Sequence, residues 1–414
     1  MNGNAATPIP DLNESVCCTW QQKFKRCFHW GPLAALGTIF FIAYVSLRNL
    51  MWVLPPGESL LGGFHLLAII VFLYLILHSY FCALLFGPGY VPLGWRPSDP
   101  KAENKLQFCR PCNGYKPPRS HHCTTCKRCV LKMDHHCPWI NTCCGHLNHG
   151  HFIIFLIVVP FGCTVCNVVL GLAAYEGWCL LPYLYQQQSN FMLTIWGLLA
   201  SIFALGLSVG VTFAVGFLCV VQLKAISKNE TGIESWIVTK ADHWRAAEGS
   251  EQFCFPYDLG RWRNIAQVLS WSGQPIGDGF HWPLREGCGE YDLTLEQIHQ
   301  KRIKQLARRN YLVTRPYNGR CCPCYEFGFR AGLNTPCCDE PRLKIRPGDL
   351  IHVTRWTRTW LYGEISVHDK GVANGSHATN TPSRPRGWFP RKCAVEADHQ
   401  FGSDKGFSSR LKQE

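Results

Sequence analysis

Long apolar runs alternate along this chain with polar stretches rich in glycine and cysteine. Four runs, about 31–54, 61–86, 151–174 and 191–223, are almost free of charge. Each reaches the roughly 20 residues that a helix needs to cross the hydrocarbon core of a bilayer. A single run of this kind also suits a buried core helix, but four of them predict four transmembrane helices. The stretches between them predict other elements. Residues 87–150 are polar and crowded with cysteine and histidine, and 294–310 (TLEQIHQKRIKQLARRN) predicts a basic helix linking two units. Beyond it, Gly348-Asp349-Leu350-Ile351-His352-Val353 and Trp360-Leu361-Tyr362-Gly363-Glu364 alternate as strands do, with turns between. The mean hydropathy of -0.04 averages these regions and conceals them.

Charge sets the orientation. The 87–150 loop carries nine basic residues, Arg96, Lys101, Lys105, Arg110, Lys116, Arg119, Lys127, Arg128 and Lys132, whereas 55–60 and 175–190 carry none. Lys23, Lys25 and Arg26 precede the first run, and Lys224 and Lys228 follow the last. Both termini and the cysteine-rich loop are therefore expected on the cytosolic side. The first 30 residues lack an apolar core, so no cleavable leader is expected. Cytosolic thiols stay reduced, so the 24 cysteines read as metal ligands, nucleophiles or modification sites rather than disulfides. The net charge of +13 lies largely on membrane-flanking segments. Attraction to anionic headgroups accounts for it, and no nucleic-acid partner is expected.

The chemistry concentrates between 109 and 143. Cys109-x2-Cys112, His122-Cys123-x2-Cys126-x2-Cys129, Asp134-His135-His136-Cys137 and Cys143 follow one another. Short C-x2-C spacings are those of tetrahedral zinc ligands, which come in fours at structural sites. Two closed sites use eight ligands, and six of these cysteines with two histidines supply them. One cysteine is then left over. Cys137 has a histidine beside it and an aspartate just before, which suits a thiol nucleophile, its base His135, and Asp134 orienting that base. From the residues alone, Cys137 as a ligand with another cysteine left over stays open. His121 and His146 read as solvent-facing or supporting side chains rather than ligands.

The segment from Cys109 to Phe152 resembles the cysteine-rich domain of the DHHC family of protein S-acyltransferases (palmitoyltransferases). The spacing matches throughout: C-x2-C, nine residues, H-C-x2-C-x2-C, four residues, D-H-H-C, five residues, C, with Asn148 and Phe152 as N-x3-F. The resemblance implies one zinc on Cys109, Cys112, His122 and Cys129 and another on Cys123, Cys126, His136 and Cys143, with Cys137 as the acyl carrier. It implies two structural zinc ions, acyl-CoA as donor, and membrane-proximal proteins as acceptors. Lys116 and Arg119 match a K/R-P-x-R element and are expected at CoA phosphates, with solvated surface charge as the alternative. Two departures stand out. Gly87-Pro88-Gly89 replaces Asp-Pro-Gly, and Thr231-Gly232-Ile233-Glu234 replaces Thr-Thr-x-Glu, so a hydroxyl that would contact the Asp134 region is missing. Tyr257, Gly260 and Asn264 fit a C-terminal family element expected to pack back on the membrane domain.

The expected organisation is an α-helical polytopic membrane protein with a C-terminal SH3-like β-barrel. Residues 1–30 form an N-terminal segment, 31–86 the first two transmembrane helices, 87–150 the zinc-binding domain and 151–223 the last two helices. Residues 224–312 are a cytosolic segment packing on the membrane domain with a linker helix, 313–397 resemble an SH3 domain, and 398–414 form a tail. The SH3 ligand groove reads as altered, with Arg315 and Tyr317 at the usual paired aromatics and Cys393 where a tyrosine is expected, which argues against polyproline binding and leaves a scaffold role or docking of an accessory protein open. Cys321, Cys322, Cys324, Cys337 and Cys338 are candidate S-acylation sites. Arg410-Leu411-Lys412 resembles part of a basic retrieval signal and points to the endoplasmic reticulum membrane. Asn13, Asn229 and Asn374 begin N-x-S/T acceptor sequences expected to stay unmodified on the cytosolic side. The competing class is a membrane-anchored zinc interaction module such as a RING-like ubiquitin ligase.

Overall fold

The apolar runs become four long helices. A short amphipathic helix, α1 (Trp20–Cys27), leads into α2 (Trp30–Val53) and α3 (Leu60–Phe86), and α4 (His149–Gln187) and α5 (Phe191–Ser227) follow the cysteine-rich segment. Our computed structural model describes residues 20–187, 191–270, 275–320, 324–336, 338, 340–366 and 385–397. All four helices are long and apolar enough to cross a membrane. His29 and Ser59 cap α2 and α3 by accepting from the Gly31 and Gly62 amides. Phe64, Phe213 and Phe217 are exposed on the helices, as suits contact with lipid. Small polar groups join the helices inside: Asn49 Nδ2 donates to Ser201 Oγ at 2.8 Å, tying α2 to α5.

The chain divides into two compact units, residues 1–298 and 299–414. In the first, α3 ends in a turn that only glycine adopts readily, with φ of 76° at Gly87 and 81° at Gly89. Three two-stranded antiparallel hairpins follow: β1 (Gln107–Cys109) with β2 (Gly114–Lys116), β3 (His121–Cys123) with β4 (Arg128–Val130), and β5 (His135–Cys137) with β6 (Thr142–Cys144). After α5 come α6 (Gly232–Glu248), α7 (Arg261–Ala266) and α8 (Asp292–Leu306). Tyr257 and Asn264 are fully buried. Asn264 Nδ2 donates to the Ser227 carbonyl at the end of α5, at 2.9 Å.

The second unit is a five-stranded antiparallel sheet in the order β10-β9-β8-β7-β11. Its strands are β7 (Arg309–Val313), β8 (Leu350–Trp356), β9 (Trp360–Ser366), β10 (Arg386–Pro390) and β11 (Ala394–Glu396). A 3-10 turn at Arg391–Cys393 precedes the last strand, and α9 (Cys324–Phe327) and α10 (Phe329–Leu333) are inserted between β7 and β8. The core holds Tyr317, Ile351, Val353, Trp360 and Phe389. The linker helix is shorter than expected. It stops at Leu306, and the chain extends from Arg309 instead because Arg309–Leu312 pairs with Leu350–Val353, a long-range partner that outweighs local helix propensity.

Candidate active site

Each hairpin repeats one small device. A cysteine ends the first strand, and a left-handed residue sits four positions later: Asn113 after Cys109, Lys127 after Cys123, Asn141 after Cys137. The first two tips carry a second cysteine, Cys112 or Cys126. The sides do something else. His122 pairs directly across from Cys129, and His136 across from Cys143. Each such pair completes the site begun by the preceding hairpin's tip, giving Cys109–Cys112–His122–Cys129 and Cys123–Cys126–His136–Cys143.

Both quartets fit zinc. Metal–ligand bonds of about 2.0–2.3 Å place tetrahedral ligands roughly 3.6 Å apart. His122 Nδ1 lies 3.4 Å from the sulfurs of both Cys109 and Cys112, and 3.9 Å from that of Cys129. His136 Nδ1 lies 3.7, 3.4 and 3.6 Å from Cys123, Cys126 and Cys143, and the Cys126 and Cys143 sulfurs are 3.6 Å apart. Each quartet is a closed Cys3His set, suited to a structural ion whose binding supplies folding free energy.

The third tip has Ile140 where the others have a cysteine, and Cys137 belongs to neither quartet. Side chains alternate along a strand, so β5 turns His136 to the metal and His135 and Cys137 to the opposite face. Cys144, directly across from His135, joins them. Cys137 and Ile140 pack with Tyr80, Ala83 and Leu84 of α3, Phe152 and Leu156 of α4, and Cys219 of α5. The thiol thus lies at the end of the helix bundle. Tyr80 donates to the Trp139 carbonyl at 2.8 Å. A Cβ on Gly31 would fall 2.0 Å from the Pro138 carbonyl oxygen, so α2 starts directly against the same loop.

The electrostatics follow from contacts. Cys144 and His135 are the groups that act on the Cys137 thiol. Against the upward pull of burial, the Cys144 thiol first and then His135 bring the Cys137 pKa down to about 5. Burial pulls His135 down, but the hydrogen bond to Asp134 and the neighbouring Cys137 outweigh it and push it up to about 9. Asp134 is buried, yet its hydrogen bond with His135 and the other contacts hold its carboxyl well below the usual carboxylate range. Three donors converge on that carboxylate: His135 Nδ1 at 2.7 Å, Gln222 Nε2 at 3.1 Å and the Gly232 amide at 2.5 Å. The contact feared lost with the hydroxyl at 232 is supplied by the main chain. Thr231 and Glu234 form a capping box that starts α6 here, and the positive end of the helix meets Asp134.

Arg119 is not at the surface. Its Nε and Nη2 reach the two Glu234 oxygens at 2.7 Å each, both side chains being fully buried. The guanidinium lies 4.4 Å from the Tyr257 ring centre and 4.7 Å from that of Trp282. Its donors are thus committed to a buried strut, and CoA phosphates are not its partners. Lys132 is buried beside it, donating to Asn229 Oδ1 at 2.9 Å, with its pKa driven well below the usual lysine range by burial and the neighbouring Arg119. Lys116 is half-buried at the end of β2. His146 is buried rather than solvent-facing, 3.1 Å from the Gly277 carbonyl and edge-on to Trp282. Asn148 donates to the carbonyls of Ala83 and Cys143, both at 2.9 Å, and Phe152 lies edge-on to His135. Of the candidate acylation cysteines, Cys338 is exposed and Cys324 begins α9. Cys321, Cys322 and Cys337 lie outside the described residues.

Residues 102–238 match the profile of the DHHC palmitoyltransferase family. Palmitoyltransferase ZDHHC6 of Mus musculus is 41% identical over 398 residues, covering 92% of this chain and 94% of its own. That of Homo sapiens is 42% identical over 399 residues, covering 93% and 95%. The probable protein S-acyltransferase 16 of Arabidopsis thaliana is 30% identical over 269 residues, covering 60% of this chain and 88% of its own. The chain belongs to the DHHC palmitoyltransferase family. It is a multi-pass membrane protein S-acyltransferase with two zinc-binding quartets, and the zinc interaction module that the residues alone also allowed is not favoured.

Proposed function

We propose that Cys137 carries the acyl group, with His135 as its base and Asp134 holding His135 in place. The observation that carries this reading is the position of the thiol: outside both zinc quartets, on the same strand face as His135, and packed against the helices. Palmitoyl-CoA is the donor. Cys137 gives its proton to His135 and its sulfur attacks the acyl carbonyl. A new carbon–sulfur bond forms, the bond to the CoA sulfur breaks, and CoA leaves as the thiol with that proton. A cysteine of a membrane-proximal protein then gives its proton to His135 and attacks the Cys137 thioester. The acyl group moves to the acceptor and Cys137 regains a proton.

An apolar cavity of about 60 Å³ among the four long helices, lined by Ile42, Ile69, Phe72, Ile76, Gly162 and Val211, supports a place there for the far end of an acyl chain. Ile76 is one helical turn, ~6 Å, from Tyr80 beside the active loop. Lys116 retains the role of a CoA-phosphate contact. The cytosolic orientation rests on the charge pattern of the loops, and residence in the endoplasmic reticulum on Arg410 and Lys412. The exposed Cys338 thiol supports S-acylation of the Cys321, Cys322, Cys324, Cys337 and Cys338 cluster. Strand order and the 3-10 turn before β11 support an SH3-like second unit that docks a partner. Tyr317 and Cys393 are core residues, so neither provides an aromatic slot for polyproline. The test of the site is to incubate the full-length protein with alkynyl palmitoyl-CoA and then with a cysteine peptide. A hydroxylamine-sensitive label on Cys137 that chases to the peptide is expected, and label only on other cysteines would sink the assignment.

A further inference from the structure

The insertion between β7 and β8 sets α9 and α10 beside the sheet. With the turn at 357–359 and the one at Arg391–Cys393 they bound a cavity of about 1030 Å³. That is the upper end of the usual range for ligand pockets, with room for several residues of extended peptide. The walls are fixed. Trp360 Nε1 donates to the Ala331 carbonyl of α10 at 2.9 Å, and the Arg391 amide donates to the Thr359 carbonyl at 2.9 Å.

The lining is apolar at its base, where Tyr311 and Phe327 are buried, and basic at its rim. Arg330, Arg358, Arg391 and Lys392 all line it and are exposed. Among the described residues none of the four makes an ion pair. The only carboxylate in the lining among the described residues, Glu396, is already engaged by Arg309 at 3.2 Å and by the Tyr311 hydroxyl at 3.3 Å. Glu326, the other acid near the Arg391–Cys393 turn, does not line the cavity. Cations gathered without counter-ions repel one another, and an anionic occupant relieves that repulsion.

We propose that this cavity docks an acidic peptide segment of a partner protein. Its carboxylates sit in the forks of Arg330, Arg358 and Arg391, and an apolar side chain rests against exposed Phe329 and Val395. The segments of this chain that adjoin the unit do not supply it. Residues 398–414 carry three acids against three bases, and 367–384 one acid against two bases, so neither segment complements the rim. The inference rests on the partner-docking reading and gives it a chemical class, distinct from polyproline.

The test uses the full-length protein in neutral detergent and fluorescence anisotropy with three labelled probes. These are a Glu-rich peptide carrying one Phe and one Leu, the same peptide with Gln for every Glu, and a Pro-x-x-Pro peptide. Arg358→Glu with Arg391→Glu reverses the rim. Lys344→Glu with Arg346→Glu makes the same charge change at exposed positions outside the cavity. The acidic peptide is expected to bind the wild type and the second pair alike, and to bind the rim variant about tenfold or more weakly. The Gln peptide is expected not to bind, and self-acylation to be unchanged in both variants. Equal losses in the two variants would reduce the effect to bulk charge and overturn the proposal, as would equal binding of the Gln peptide. Binding of the Pro-x-x-Pro peptide alone would leave docking intact and remove the acidic class. If no peptide binds and the rim variant only loses adsorption to phosphatidylserine vesicles, the surface is a lipid contact and both readings fall.

Discussion

In the hairpin built from β3 and β4 the chain turns from Cys123 through Cys126 to a left-handed Lys127, and both cysteines face a metal. In the hairpin built from β5 and β6 it turns from Cys137 through Ile140 to a left-handed Asn141. The backbone device is shared, and one residue separates the outcomes. With Ile140 in place of a ligand, the third tip holds no quartet. Its own sides, His136 and Cys143, still close the second one. Zinc therefore fixes the hairpin that carries Cys137 without touching the Cys137 sulfur. On the proposed assignment, the comparison teaches that the nucleophile arises by subtracting one ligand from a metal-binding fold, leaving its rigidity in place.

The largest effects test that division directly. Cys126→Ser is expected to lower bound zinc from two ions to one and to abolish acyl loading, because the third hairpin loses its anchor. Cys137→Ser is expected to abolish loading and transfer equally while retaining both ions. Metal analysis of the purified variants separates them, and a lost equivalent in the second would return Cys137 to the ligands. Next comes the strut that holds the α6 N-terminus against Asp134. Arg119→Ala leaves Glu234 buried and unpaired and is expected to cost about 3–5 kcal/mol, read as a fall in Tm. A Tm near the wild-type value would mean that the strut carries little.

A smaller change probes the apolar cavity that begins one helical turn from Tyr80, the third tip's neighbour. A Cβ at Gly162 would lie 3.0 Å from Ile76 and 3.2 Å from Phe72, so Gly162→Leu shortens the apolar cavity. The variant is expected to favour shorter acyl-CoAs in loading assays, and an unchanged chain-length profile would remove the cavity from the acyl path. Smallest of all, Ile140→Val trims one methylene from the buried tip and is expected to cost about 0.5–1.5 kcal/mol. Zinc content should not change. A larger loss of activity than of stability would show that Ile140 positions Cys137 rather than merely filling space.

The ligand types and the four long helices were legible because they rest on short spacings and on run length, which tertiary context seldom alters, whereas the division of the ligands into two quartets came from the family resemblance. Arg119 was misread because its partner lies 115 residues away. A basic residue in a Lys-Pro-Pro-Arg stretch looks solvent-bound until Glu234 folds against it. The contact to Asp134 was sought in a side chain at position 232 and found in an amide, which every residue but proline offers. Gln222 and Cys144 gave no signal of their own, since a polar residue inside an apolar run and one more thiol among 24 say little before the partners are known. Only the capping box, Thr231 with Glu234, was a readable sign that a helix would begin beside the site.

Asn229 adopts a left-handed φ of 54° and is buried. Its Nδ2 donates to the Tyr257 carbonyl at 2.8 Å, while its Oδ1 accepts from Lys132. This nitrogen is also the atom a glycan would be joined to, in the acceptor sequence Asn229-Glu230-Thr231. In the folded protein no glycosylating enzyme reaches it, whichever side of the bilayer the segment occupies. Absence of a sugar at Asn229 therefore does not by itself separate burial from sidedness. Topology mapping of this region calls for an acceptor engineered into the exposed stretch at 247–251, where modification depends on compartment alone.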